Sequence, residues 1–225
     1  MNLNENLIAI IGDIVDSKKI PIDKRNLYQN KLKEVLSQIN KRYEEEICSN
    51  FIITLGDEFQ GVIKNSINLF SIIEKIEMAM DPIQLRFGIG VGPLLTQINR
   101  EASIGADGPS YHRARKSIMI LKNDKENIQN IYIETGNRLF NDELNAHLYW
   151  VCRTFNTWSK LQRKVVKYKI DNVDITQKEI ASDLSIDQSL VSRTLKASLY
   201  LNYTSSKKAI CTLIEKIRGN KCWIR

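Results

Sequence analysis

The stretch Leu7–Ile14 reads LIAIIGDI, with six of its eight residues aliphatic and the first five unbroken. A run that short and that continuous fits a strand buried on both faces rather than one alternating between core and water. It ends on an acidic residue, Asp13. From Lys24 to Tyr43 the apolar positions Tyr28, Leu32, Val35, Leu36, Ile39 and Tyr43 keep a helical spacing, entered at Pro21. Phe51–Leu55 and Phe59–Ile63 are two β-rich runs joined by Gly56-Asp57-Glu58, which predicts a hairpin. Helical spacing returns from Ser66 to Met80 and is stopped by Asp81-Pro82.

Further along, Leu85, Phe87, Ile89 and Val91 alternate with Arg86, Gly88 and Gly90. This predicts a strand whose glycines let another group approach its backbone closely. Tyr111, Ala114, Ile118 and Leu121 make a helical stripe, Ile131–Ile133 supplies a last strand, and Asn141 to about Tyr168 reads as one helix leading onward. The order β-α-β-β-α-β-α-β predicts an α/β (α+β) fold, a mixed sheet covered by helices of the ferredoxin-like or palm kind.

The chain divides by charge. Residues 1–150 hold 18 Lys/Arg against 20 Asp/Glu, whereas 151–225 hold 15 against 6. Two domains are therefore expected, 1–150 and 151–225, the second basic enough to suit a polyanion or to be a solvated basic surface. No run approaches the roughly 18 apolar residues that span a bilayer, and Met1–Glu5 is polar, so a cytoplasmic protein with no membrane partner is expected. The cysteines Cys48, Cys152, Cys211 and Cys222 contain no C-x-x-C pair and the histidines are only His112 and His147, which argues against structural zinc.

Asp13 closes a buried strand and Asp57 occupies a hairpin tip, places that are adjacent in a palm-type sheet. Two such carboxylates repel unless a cation lies between them, and Mg²⁺ favours one or two carboxylates together with water and substrate phosphates. The pair reads as a phosphate-handling metal site. Taken singly, each has a plain alternative: Asp13 as a cap for the next turn, Asp57 with Gly56 as an ordinary hairpin dipeptide.

The strings GDIVDS (Gly12–Ser17), TLGDEFQG (Thr54–Gly61), LRFGIGVG (Leu85–Gly92) and GADGPSYHRAR (Gly105–Arg115) occur in the order found in class III nucleotidyl cyclase domains, which this part of the chain resembles. The second string is also similar to the GGDEF signature, with Leu55 in place of its first glycine. The layout of the whole chain resembles the SatD family. The resemblance implies that Asp13, Asp57 and the backbone carbonyl of Ile14 hold Mg²⁺ or Mn²⁺. It implies that a nucleoside triphosphate meets the backbone at Gly56, Gly88 and Gly90. It also marks departures. Ile53 stands where such cyclases carry a base-reading lysine and Gly105 where they carry a base-reading aspartate, while His112 and Lys116 replace the transition-state asparagine and arginine. Arg113, Lys116 and His112 are the groups left to act catalytically, or to form an ordinary solvated helix start. Each absent donor can cost on the order of 10²–10³ in rate, so binding can outlast turnover.

Ile175–Lys196, ITQKEIASDLSIDQSLVSRTLK, places Ile180, Ala181, Leu184, Ile186, Val191 and Leu195 where two helices crossing at a short turn need apolar contacts. Thr176 and Glu179 make a capping box and Ser185 takes the turn. The stretch resembles the bacterial helix-turn-helix. The resemblance implies a small all-α domain whose Gln188, Ser189, Ser192, Arg193 and Lys196 face double-stranded DNA, with a protein-binding module as the alternative. Two functions follow: a DNA-binding regulator with a nucleotide-sensing domain, or a nucleotidyl cyclase or transferase making a nucleotide signal. Both resemblances imply a homodimer.

Overall fold

The computed structural model describes residues 6–219 except 102, 104–106, 125–128 and 173, so Gly105 and Cys222 lie outside the described residues. In chain order come β1 (Leu7–Ile14), α1 (Ile22–Arg42), β2 (Ile47–Leu55), β3 (Glu58–Ile63), α2 (Leu69–Met80), β4 (Leu85–Gly92), α3 (Pro109–Asn123) and β5 (Ile131–Glu134). They form one five-stranded mixed sheet in the order β2-β3-β1-β4-β5. Strand β1 is central and antiparallel to β3 and β4, and β5 runs parallel to β4.

Every residue of β1 is buried, as its unbroken apolar run requires. Side chains on a strand alternate between faces, so β1 feeds two cores. Ile8, Ile10 and Ile14 pack with Leu32, Leu36 and Ile39 of α1 and with Ile72, Ile73 and Ile76 of α2. Leu7, Ala9 and Ile11 pack with Ala114, Ile118 and Leu121 of α3. Two of the three glycines of β4 explain how α3 comes so near. A Cβ on Gly90 would meet Ser110 O at 1.9 Å, and one on Gly88 would meet Ala114 O at 2.5 Å. The close neighbour expected at these glycines is thus the backbone of α3.

Beyond the sheet lie α4 (Arg138–Thr157), α5 (Lys160–Asp171), α6 (Gln177–Leu184), α7 (Gln188–Ala197) and α8 (Tyr200–Gly219). The single helix expected over Asn141 to about Tyr168 is therefore two. Ser159 and Gln162 form a reciprocal capping box that starts α5 afresh. Just before it, the buried Trp158 donates its indole N–H to Ser198 O at 2.9 Å.

Helices α6 and α7 meet at Ser185, whose φ of 52° turns the chain, and α6 begins with the Thr176–Glu179 capping box. Ile180, Ala181 and Val191 form a small core with Val165 of α5, and Leu184, Ile186 and Leu195 pack against it. Helix α8 belongs elsewhere. Its Tyr203, Ile210, Ile214 and Ile217 join the core beneath the sheet, together with Leu144, Leu148, Val151 and Phe155 of α4. The cores consequently do not divide at residue 150. Glu74 of α2 accepts hydrogen bonds from the Tyr203 hydroxyl and the Lys207 ammonium of α8, so this buried charge is paired across the same contact. No helix among the described residues is long and apolar enough to cross a membrane.

Candidate functional site at the sheet end

The register sets the site. Asp13 lies opposite Arg86 of β4, and the Leu55–Glu58 pair leaves Gly56-Asp57 as the two-residue turn between β2 and β3. Gly56 has φ +63°, a left-handed conformation that glycine adopts without steric cost. Its carbonyl accepts a hydrogen bond from Gln29 of α1 at 3.0 Å, which ties the hairpin tip to that helix.

Asp13 is only 5% exposed. One carboxylate oxygen, Oδ2, accepts from Lys122 Nζ at 2.9 Å and has Arg86 Nη1 at 3.9 Å; the other, Oδ1, is buried with no hydrogen-bond partner. Burial pushes the Asp13 carboxyl up against the opposing pull of Lys122 and Arg86, and the Asp57 charge pushes it the same way. Asp13 and Asp57 are therefore electrostatic neighbours. Glu58 adds a third carboxylate nearby, held by Arg115 at 2.5 Å with Lys122 at 3.9 Å.

On the α1 side of this cluster a cavity of about 150 Å³ is lined by Ile14, Gly56 and Asp57 and by the basic Lys18 and Arg25. Arg25 donates to the carbonyls of Ile20 and Lys18 at 3.0 and 2.8 Å, which ties the loop after β1 to α1. A buried, unpartnered carboxylate oxygen beside a second carboxylate is the hard oxygen donor set that Mg²⁺ or Mn²⁺ takes. Among the described residues no three His, Cys, Asp or Glu side chains converge for a metal. A cation here would rest on Asp13, Asp57 and the Ile14 carbonyl, with water or phosphate completing its shell.

The three groups expected to act catalytically lie at the other end of the sheet. His112 pairs with the exposed Asp107 at 2.9 Å, Arg113 donates to Val91 O at 2.6 Å, and Lys116 pairs with Glu134 at 2.8 Å. Burial holds the Arg113 guanidinium below its usual pKa, against the pull of Glu134. Burial also pushes the Glu134 carboxyl up, but the Lys116 ammonium, the Asn141 amide and the Gly136 N–H together outweigh it and hold it below the usual range. Glu134 pairs in register with Gly90, four residues along β4 from Arg86, which is why these cations do not reach Asp13 within one chain.

The cations that do surround the carboxylates are Lys122, Arg115 and Arg86. Arg115 and Lys122 stand seven residues apart, two turns along one face of α3, and that spacing was visible. The pairing of Arg86 with Asp13 was not, because antiparallel register is a tertiary fact. Ile53 is half-buried on β2 and packs against the main core. Gln188, Ser189, Ser192, Arg193 and Lys196 are all exposed on α7, while Val191 and Thr194 face inward.

Fold and site define a mixed α/β protein whose central strand ends in a buried carboxylate, Asp13, with further carboxylates and basic side chains around it. The chain belongs to the SatD family, which it matches over residues 7–214. No curated protein matches it. Among solved structures, it is similar to a bacterial light-regulated adenylyl cyclase, with 12% identity, a TM-score of 0.44, and coverage of 57% of this chain and 75% of that one. It is similar also to the non-canonical dimeric guanylyl cyclase domain of the RhoGC fusion protein from the aquatic fungus Blastocladiella emersonii, at 17% identity, TM-score 0.39, 51% and 74% coverage. The guanylyl cyclase Cya2 matches at 10% identity, TM-score 0.40, 58% and 76% coverage.

Proposed function

We propose that the sheet end binds a nucleoside triphosphate together with Mg²⁺ or Mn²⁺ and carries out nucleotidyl transfer, as a cyclase or transferase. The observation that carries this is the buried Asp13 carboxylate, with Oδ1 unpartnered and the Asp57 charge acting on it, where Asp57 also lines a cavity edged with Lys18 and Arg25. When bound, the cation neutralises phosphate oxygens and aligns them for displacement. The chain's own part is electrostatic. Lys18 and Arg25 face the cavity from the loop and α1, and Lys122, Arg115 and Arg86 surround the carboxylates from α3 and β4. Such preorganised cations supply the stabilisation that His112, Arg113 and Lys116 do not bring to this end of the same chain.

Calorimetry with ATP and with GTP, each with Mn²⁺, tests the binding. Asp57→Ala should abolish cation-dependent nucleotide binding and leave the melting temperature within a few degrees of wild type. Chromatography of each triphosphate incubated with Mg²⁺ or Mn²⁺ tests turnover, with product formation expected and lost in Asp13→Ala. Unchanged nucleotide binding by the Asp57 variant would sink the reading.

A second reading, a DNA-binding regulator with a nucleotide-sensing domain, is favoured by one observation: Gln188, Ser189, Ser192, Arg193 and Lys196 form a continuous exposed face on α7. In that reading Arg193 and Lys196 neutralise phosphates, and log K falls by about 0.9 per log unit of salt for each phosphate contacted. Lys196→Ala should weaken all duplexes alike and flatten the salt slope, whereas Gln188→Ala should relax sequence preference by roughly 1–3 kcal/mol. Absence of duplex binding at about 50 mM salt rejects it. Either function is expected of a homodimer, which sedimentation would show.

A further inference from the structure

A second cavity lies away from the one at the sheet end. It holds about 280 Å³ and lies between the Asp81–Gln84 turn, the start of β4, the end of α4 and α5 as far as Lys167. Its chemistry is divided. Phe155 and Ile83 give it apolar wall, and the Arg163 guanidinium stacks over the Phe155 ring at 4.6 Å from its centroid. Lys164 and Lys167, both exposed, stand at the rim on α5, and Arg86 lines the inner end.

Four cations thus face two acids, Asp81 and Glu77. Glu77 does not offset them at neutral pH. Burial raises its carboxyl to about 8, against the hydrogen bond donated by Asn130, so it stays protonated. An enclosed site with an apolar floor, a stacked guanidinium and a surplus of cations at its rim suits a ligand with a flat apolar body and a doubly charged end.

We propose that this cavity is a second ligand site, which takes a small aromatic monophosphate: the ring lies against Ile83 and the Phe155–Arg163 stack, and the phosphate against Lys164 and Lys167. The site is separate from the sheet-end carboxylates but joined to them through Arg86, which lines the cavity and stands 3.9 Å from Asp13. It is joined also to α6 and α7, because Val165, next to Lys164 on α5, packs in the small core of Ile180, Ala181 and Val191.

The test is calorimetry on the full chain in EDTA, so that binding does not depend on a cation at Asp13 and Asp57. The probes are adenosine 5′-monophosphate, phenyl phosphate and inorganic phosphate. Both aromatic phosphates should bind at least ten-fold more tightly than inorganic phosphate. A ten-fold preference for the nucleotide over phenyl phosphate would make the ligand a nucleotide, and equal affinity any aryl phosphate. The double charge reversal Lys164→Glu/Lys167→Glu, at two exposed positions, should weaken binding at least ten-fold. Ile83→Trp, which fills the cavity, should abolish it. Asp57→Ala should leave it unchanged, which separates this site from the sheet end. Equal affinity for inorganic and aromatic phosphate, or binding that survives both the charge reversal and the filled cavity, would overturn the assignment.

Discussion

Asp13 and Glu77 are carboxylates that the fold removes from water in different company. Asp13 has Lys122 and Arg86 beside it, whereas Glu77 has the Asn130 amide and a protonated state raised to about 8. For Glu77 the sign follows from linkage. Above about 4.5 the unfolded chain releases this proton while the folded chain keeps it, so stability falls as pH rises until about 8, where the folded form also ionises. Glu77→Gln keeps an oxygen to accept from Asn130 and removes the titration. Urea unfolding between pH 5 and 9 should show the wild type losing stability over that window relative to the variant, by on the order of 1–3 kcal/mol once solvent access through the cavity is allowed for. Parallel pH profiles for the two proteins would refute the assignment. At this scale the sequence identified Asp13 and Asp57 because strand ends and hairpin tips are local features. Glu77 sat unremarked in a helical stripe, since only packing distinguishes a buried Glu from a solvated one.

Strand β4 and helix α3 form the tightest contact between elements, and Gly88 and Gly90 make it possible. Gly90→Ala would place a methyl group 1.9 Å from Ser110 O and 2.3 Å from Ala114 N, both backbone atoms that cannot rotate aside. Helix α3 must then move off the sheet. The expected cost is about 2–4 kcal/mol, the upper range of overpacking in a filled core, read as a drop in denaturation midpoint. Because α3 carries Arg115 and Lys122 to Glu58 and Asp13, nucleotide binding at the sheet end should weaken in the same variant. A Gly90→Ala protein as stable as wild type would mean that α3 does not rest on β4 as described. The glycines were legible as a place of close approach, but a sequence cannot say whether a helix or a ligand comes close. The break between α4 and α5 was missed for a related reason: apolar spacing continues through Trp158, and only the Ser159–Gln162 box and the Trp158–Ser198 bond interrupt the helix there.

Across the whole molecule, α8 returns to pack on the sheet core, so the last helix and the first strand depend on one another. Asn6, at the start of β1, donates to Arg218 O at 3.0 Å, and Arg218 donates back to Asn6 O at 2.7 Å. A chain cut after residue 150 loses Val151, Phe155, Trp158, Tyr203, Ile210, Ile214 and Ile217 from the core. Large-to-small changes in a core cost about 2–5 kcal/mol each, against a total stability of about 5–15 kcal/mol. Residues 1–150 alone should therefore melt without a cooperative transition and bind a hydrophobic dye, whereas the intact chain should give one sharp calorimetric peak. A cooperative 1–150 fragment would show that the two halves fold independently.

The element order, the two-faced burial of β1, the Gly56-Asp57 hairpin and the α6–α7 corner all rest on local periodicity and turn chemistry, and for that reason the amino-acid sequence alone determined them. What only the tertiary structure decided is where charges meet. Strand register put Arg86 across from Asp13 and Lys116 at the opposite sheet end, and the return of α8 merged cores that charge composition had separated at residue 150. Register and long-range packing are settled by contacts between residues far apart in the chain, and no local pattern in the sequence encodes them.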